Sequence, residues 1–222
     1  MVFLLKNLVF FGAGGLARET VQLINDINDR TPTYRLLGFV VEEKYYKKNA
    51  MVGGYPVLGT EEWLLDNKED VCCNCTIGTP SAKARIQRSL ESQGVMFETL
   101  ISPRTIIRER STIGRGCLIP GAMGTIISVD CFIGDGVFLN GTVTLGHDVS
   151  VGDYSCVFSG TKITGWCKIG SEVFIGGNAY VVPKRKVGDH AIIASGSVVF
   201  TNVKEGTTVL GNPAKRMASL EA

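Results

Sequence analysis

From Ile127 onward every sixth residue is aliphatic: Ile127, Ile133, Leu139, Leu145, Val151, Val157, Ile163, Ile169, Ile175, Val181, Val187, Ile193 and Val199. An amphipathic helix repeats every 3.6 residues and a half-buried strand every two, so a strict period of six belongs to neither. It is the hexapeptide pattern of a parallel β-helix, in which each hexapeptide forms one flat side of a triangular coil. The aliphatic residue then points inward and stacks on the residue eighteen positions further on. Ile107, Ile113 and Ile119 begin the series. The eight-residue step from Ile119 to Ile127 implies a two-residue insertion around Ala122 to Thr125, and the coil should run to about Val203.

Glycine contributes 27 of 222 residues, about 12% against an average of roughly 7%. Much of the excess falls one place after the aliphatic residue, at Gly134, Gly146, Gly152, Gly170, Gly176 and Gly188. Corners need residues that tolerate positive φ or a close backbone approach, and these glycines are the candidates for both. The flat faces of such a prism predict association through them, because an uncovered sheet face is sticky.

The first hundred residues follow another rule. Asn7 to Phe11 reads as a buried strand, Leu16 to Asn28 as a helix, Leu36 to Val41 as a strand and Glu61 to Asn67 as a short helix. Val71 to Ile77 reads as a strand and Ser81 to Gln93 as a helix, and a last strand over Met96 to Ile101 would complete the sheet. Alternating strands and helices predict a parallel sheet, so the chain divides into an α/β unit over 1–101 and a coil over 102–222.

Charge narrows the partners. With 23 basic and 21 acidic residues the net charge is +2, too little to hold a run of nucleic-acid phosphates. No stretch approaches 18 uninterrupted apolar residues, which predicts no membrane insertion. Lys6 and Asn7 interrupt the apolar start, and no small-residue cleavage site follows, so it reads as a first strand and not as a signal peptide. Seven cysteines, three of them crowded at Cys72, Cys73 and Cys75, read as buried free thiols in a reducing cytoplasm, not as disulfides or a zinc site.

Two stretches carry chemistry. Gly12-Ala-Gly14-Gly15-Leu16-Ala17 lies between the first strand and helix and satisfies G-x-G-x-x-A, which lets phosphates approach a helix N-terminus. The unit is too short for a full dinucleotide domain and suits a smaller nucleotide. Ile77-Gly78-Thr79-Pro80 lies at the same carboxyl edge of the sheet. The second stretch is His147-Asp148, one of only two histidines, placed to project outward near a corner as an imidazole beside a carboxylate: a general base, or an exposed pair at a turn. His190 has only Asp189 beside it, and two histidines cannot supply a three-imidazole zinc site.

With GAGGLA at the first turn, ISPRTII entering the coil, GHDVSVGDYS in mid-coil and VLGNPAKRM at the end, the chain resembles the left-handed β-helix sugar acyltransferases. Within them it is similar to the sialic-acid O-acetyltransferase and UDP-4-amino-sugar N-acetyltransferase family. The resemblance implies a Rossmann-like nucleotide-sugar domain followed by the coil, a homotrimer, acetyl-CoA as cosubstrate and no metal. It implies His147 as general base, Asp148 as its acidic neighbour, and Gly165 as an N–H donor to the acetyl oxygen. Cys156, Gly177, Ser195, Gly211, Asn212, Pro213 and Lys215 would hold CoA. Gly12, Gly14, Gly15, Leu16, Glu42 and Gly78 would hold the nucleotide sugar. Three positions depart from the family: Leu16 stands where histidine is common, the acidic residue expected at Val41 is displaced to Glu42, and Cys156 stands where a histidine contacts acetyl-CoA. The implied activity is acetylation of an amino sugar on a nucleotide for surface glycans. O-acetylation of sialic acid or another sugar is the alternative, and a non-catalytic trimeric scaffold the non-enzymatic one.

Overall fold

The computed structural model describes residues 5–121 and 124–217. The α/β unit is built from β1 (Lys6–Phe11), α1 (Gly15–Arg30), β2 (Tyr34–Val40), β3 (Met51–Val52), β4 (Tyr55–Gly59), α2 (Glu61–Asp66), β5 (Cys72–Cys75) and α3 (Pro80–Ser92). Its sheet runs in the order β3-β4-β2-β1-β5, parallel except for β3. Continuous apolar runs explain the central strands: Leu8 to Phe11 on β1 and Cys72 to Cys75 on β5 are buried on both faces, as a sheet covered on both sides requires.

Two features differ from the sequence expectation. The β3–β4 hairpin is unforeseen; it turns at Gly53 and Gly54, both at positive φ, and places β4 beside β2. The stretch from Met96 does not finish this sheet. Phe97 makes only a single bridge to Cys73, and Leu100–Ile101 pair instead with Leu118–Ile119 as the first rung of the coil.

The coil has three parallel sheets. Face one stacks Ile106–Ile107, Ile126–Ile127, Thr144–Leu145, Lys162–Ile163, Tyr180–Val181 and Val198–Val199. Face two runs from Thr112–Ile113 to Lys186–Val187, and face three from Leu100–Ile101 to Thr208–Leu210, closed by the antiparallel Lys215–Arg216. Partners on successive rungs are eighteen residues apart, as in Ile127 with Leu145, and twenty apart between Ile107 and Ile127. That register accounts for the two extra residues expected around Ala122 to Thr125, although 122–123 themselves lie outside the described residues. The inward column from Ile119 to Val209 is a single buried cluster, whereas Ile107 at the open end is 41% exposed.

The corner glycines need a correction. Gly134, Gly146, Gly152, Gly170, Gly176 and Gly188 do not have positive φ. Their reason is proximity: a Cβ at Gly146 would lie 2.7 Å from Gly165 N, and one at Gly152 would lie 2.6 Å from Gly170 C. The positive φ falls two residues later, at Asp130, Gly136, Thr142, Asp148, Tyr154, Gly160, Trp166, Glu172, Asn178, Lys184, His190 and Gly196. Most of these are not glycine, and each leaves its L-side chain in the left-handed region, at a cost of about 1–2 kcal/mol.

The α/β unit sits on face three. The outward side chains Leu100, Leu118, Phe138 and Cys156 are fully buried in one cluster with Ala17, Leu23 and Ile24 of α1, so the first rungs of this face are covered within the chain, whereas Ile192 further up is 41% exposed. Helix α3 runs along the corner between faces two and three. Gln87 occupies the space where a Cβ at Gly116 would stand, and the Tyr154 ring takes that of Gly136, with Gln87 Oε1 at 3.0 Å. Higher up the same corner, Arg88 stacks on Tyr154 and bonds Glu172 Oε1 at 2.7 Å. All seven cysteines are free and buried, with burial pushing the thiols of Cys72 and Cys117 up to about 11.

The two roles of small residues are separable by urea unfolding. Gly152→Ala should cost about 2 kcal/mol from backbone overlap. Thr142→Gly should be neutral or stabilising by up to about 1 kcal/mol, because it relieves a β-branched residue at φ +61.

Candidate functional site

The loop between β1 and α1 forms one wall of a cleft of about 790 Å³ at the carboxyl edge of the sheet. Gly12 adopts φ +109, and a Cβ there would lie 3.0 Å from Thr76 Oγ1. The Thr76 hydroxyl in turn reaches the carbonyls of Phe11 and Gly12 at 3.0 and 3.2 Å, tying the turn to the end of β5. Gly14 is the N-cap of α1 and supplies no side-chain cap, and nothing lies within 4 Å of a Cβ at Gly14 or Gly15. The first N–H groups of this helix are therefore open to an anion.

Glu42, Lys44, Lys47 and Arg85 carry the charge of the cleft. Glu42 accepts from Arg85 Nη2 at 2.6 Å and pairs with Lys44 at 3.4 Å. The Arg85 hydrogen bond, with help from Lys44 and against some burial, holds the Glu42 carboxyl below the usual carboxylate range. Gly12, Gly14 and Glu42 thus line the cleft as expected from sequence. Leu16 and Gly78 face the coil: a Cβ at Gly78 would lie 3.4 Å from Phe158 Cζ and 4.0 Å from Leu16 Cδ2. Arg85, Lys44 and Lys47 were not foreseen. Arg85 reaches the cleft from α3, 43 residues beyond Glu42, and no local motif marks it.

His147 and Asp148 lie on the corner between faces one and two. Nδ1 of His147 is 2.8 Å from Asp148 Oδ2, so the carboxylate accepts from Nδ1–H and leaves Nε2 with its lone pair outward. The ring lies over Gly165, where a Cβ would come within 2.6 Å of Nε2. On the corner between faces two and three the N–H at this position of the repeat is accepted by an aspartate one coil up, as Asp135 N by Asp153 and Ser171 N by Asp189. Above Gly165 stands Pro183, which has no acceptor side chain, and the Gly165 N–H has no partner among the described residues. The imidazole, the carboxylate and the Gly165 N–H therefore share one spot. His190 differs from expectation: its Nδ1 lies 3.6 Å from Glu172 Oε2, and Asp189 is occupied by Ser171 N.

Gly177, Ser195 and Gly211 come together as one column on the corner between faces one and three, since Ile175 pairs with Ile193 and Ile193 with Val209. Asn212 and Pro213 continue the turn from Gly211, and Lys215 returns opposite Leu210. Cys156 is a correction. It is 0% exposed beneath the α/β unit, with its thiol pushed up to about 12 by burial, and offers no surface to a cofactor. No group of three or more His, Cys, Asp or Glu able to hold a metal occurs among the described residues. No described helix is long and apolar enough to cross a membrane.

Residues 7–90 match the PglD N-terminal domain, and 167–201 match the bacterial transferase hexapeptide (six repeats). The chain is 32% identical over 156 residues, 70% of its length and 68% of the relative's, to GDP-perosamine N-acetyltransferase of Escherichia coli O157:H7. It belongs to that family of hexapeptide sugar acyltransferases. The fold agrees. PerB from Caulobacter crescentus, solved with CoA and GDP-perosamine, superposes with a TM-score of 0.86 at 21% identity over 98% of this chain and 100% of that one. WeeI from Acinetobacter baumannii AYE gives 0.84 at 26% identity, over 96% and 100%. The three-sheeted hexapeptide coil of this acyltransferase family member thus fits a left-handed β-helix.

The Glu42 carboxyl supplies a pH test. A depressed folded-state value means the pair contributes above the unfolded pKa and is lost as pH falls through the folded one. Carbon-13 NMR of the carboxyl in Arg85→Ala should show the Glu42 midpoint moved upward, with the acid edge of the stability profile slightly flatter.

Proposed function

We propose that this protein transfers the acetyl group of acetyl-CoA to the amino group of a nucleotide-linked 4-amino sugar for surface glycan synthesis, with a guanosine diphosphate sugar as the first candidate. The single observation that carries the reading is the His147–Asp148 pair lying over an unpartnered Gly165 N–H. Membership of a family that contains a GDP-sugar N-acetyltransferase supports the substrate.

In this mechanism the sugar amine attacks the thioester carbonyl while Nε2 of His147 removes its proton. Asp148 holds the imidazole in the accepting tautomer and stabilises the imidazolium that forms. The oxygen of the tetrahedral intermediate takes the Gly165 N–H, a donor that needs no reorganisation. Collapse expels the CoA thiolate, which recovers the proton from His147. The Rossmann-like unit, 1–101, holds the diphosphate at the open N-terminus of α1 and among Lys44, Lys47 and Arg85. The coil, 102–222, holds CoA along Gly177, Ser195 and the turn from Gly211 to Pro213, with Lys215 beside it.

Position on the prism argues for a homotrimer. Leu16 and Gly78 at the glycine turn abut Phe158, which belongs to the corner between faces one and three, the corner that also carries Gly177 and Ser195. His147 stands on the corner between faces one and two. Packing three prisms brings the base of one protomer to the cleft and CoA column of its neighbour. Seven free thiols fit a reducing cytoplasm.

Steady-state transfer from acetyl-CoA to GDP- and UDP-linked amino sugars is the test. His147→Ala should lower kcat by about 10²- to 10⁴-fold, and a variant keeping most of its activity would sink the mechanism. The shared site makes a second prediction. His147→Ala and Gly14→Asp, each inactive alone, should regain part of the activity when co-expressed, because mixed trimers contain one intact site; no recovery would place the whole site within one protomer.

A further inference from the structure

Trp166 occupies a position that no sequence motif marked. It stands at a corner with φ +60, the left-handed conformation it shares with the corresponding residues of the other coils. Its indole is 51% exposed, so burial does not account for it. What distinguishes it is the ring it meets, not its backbone.

The neighbour here is His147. The two ring centroids are 4.2 Å apart at an interplanar angle of 90°, an edge-to-face contact, and the Trp166 N–H donates to the His147 carbonyl at 3.0 Å. Lys184, on the next coil, places its Nζ 5.2 Å from the indole centroid, while its own N–H bonds the Gly165 carbonyl at 3.0 Å. The imidazole is thereby confined on three sides. Asp148 holds Nδ1, the missing side chain of Gly165 makes the floor, and the indole forms a wall. Asp148 alone cannot do this, since a single hydrogen bond at a 45% exposed carboxylate leaves the ring free to swing about it.

We infer that Trp166 is a positioning residue for His147: its indole wall holds the imidazole in the one orientation that directs Nε2 over Gly165. The inference rests on His147 being the base. An aromatic contact of this kind is modest in energy, yet a misplacement of about 1 Å in a reacting group can cost about 10²-fold in rate. The indole acts on the base and not on either substrate, so its loss should appear in kcat and not in KM.

Two variants separate the possibilities. Trp166→Asn removes the indole but tolerates positive φ, and Trp166→Phe keeps an aromatic wall. Trp166→Asn should lower kcat by about tenfold or more, leaving KM for acetyl-CoA and for the GDP-amino sugar within about twofold, and Trp166→Phe should recover most of the loss. Proton NMR of the free enzyme reads the contact without turnover: the ring-current shift of the His147 Hε1 should vanish in Trp166→Asn and persist in Trp166→Phe. Wild-type kcat in Trp166→Asn, a rise confined to the sugar KM, no rescue by phenylalanine, or an unchanged Hε1 shift would each overturn the role. A failure of the base reading is distinct, because it shows as retained activity in His147→Ala.

Discussion

Successive coils of the prism are one strand spacing apart, about 4.8 Å, and everything else in the molecule accommodates that distance. The column from Ile119 to Val209 stays dry because every sixth side chain stacks directly on its eighteenth neighbour. Where glycine follows the inward residue, as at Gly146 and Gly152, the next coil leaves no room for a Cβ, and two places later the chain passes through positive φ. Each turn of the coil therefore repeats the same small strain, offset by the apolar area its inward residues remove from water.

That regularity makes the departures informative. Gly116 breaks the pattern of side chains along one corner and admits Gln87 of α3, while Gly136 makes room for the Tyr154 ring. From the same helix Arg85 reaches the cleft and Arg88 reaches Glu172, so one element joins the carboxyl edge of the sheet to the coil. The aspartates that accept corner N–H groups stand on the corner between faces two and three; on the corner between faces one and two Pro183 stands above Gly165, and the imidazole lies over that glycine.

Charge follows the same economy. A chain of net charge +2 concentrates Lys44, Lys47 and Arg85 at one cleft and adds the open N–H groups of α1. Glu42 is the counterweight there, kept ionised by Arg85 and Lys44, so the basic groups remain ordered before any anion arrives.

The coil, its inward column, the glycine turn and the His147–Asp148 pair were legible in the sequence because each depends on neighbours at fixed short spacing. Period six determines what points inward, and adjacency in the chain puts a carboxylate beside an imidazole. The β3–β4 hairpin was missed although Gly53-Gly54 signalled it, and the stretch ending in Ile101 was assigned to the wrong sheet because its partner, Leu118–Ile119, lies across a domain junction. Only the tertiary structure decided that Cys156 is sealed beneath the α/β unit, that His190 turns to Glu172, that Arg85 closes on Glu42 and that Trp166 walls the His147 ring. Those facts depend on which corner of a prism a residue reaches and what packs against it, and one period repeated around three faces carries no mark of either.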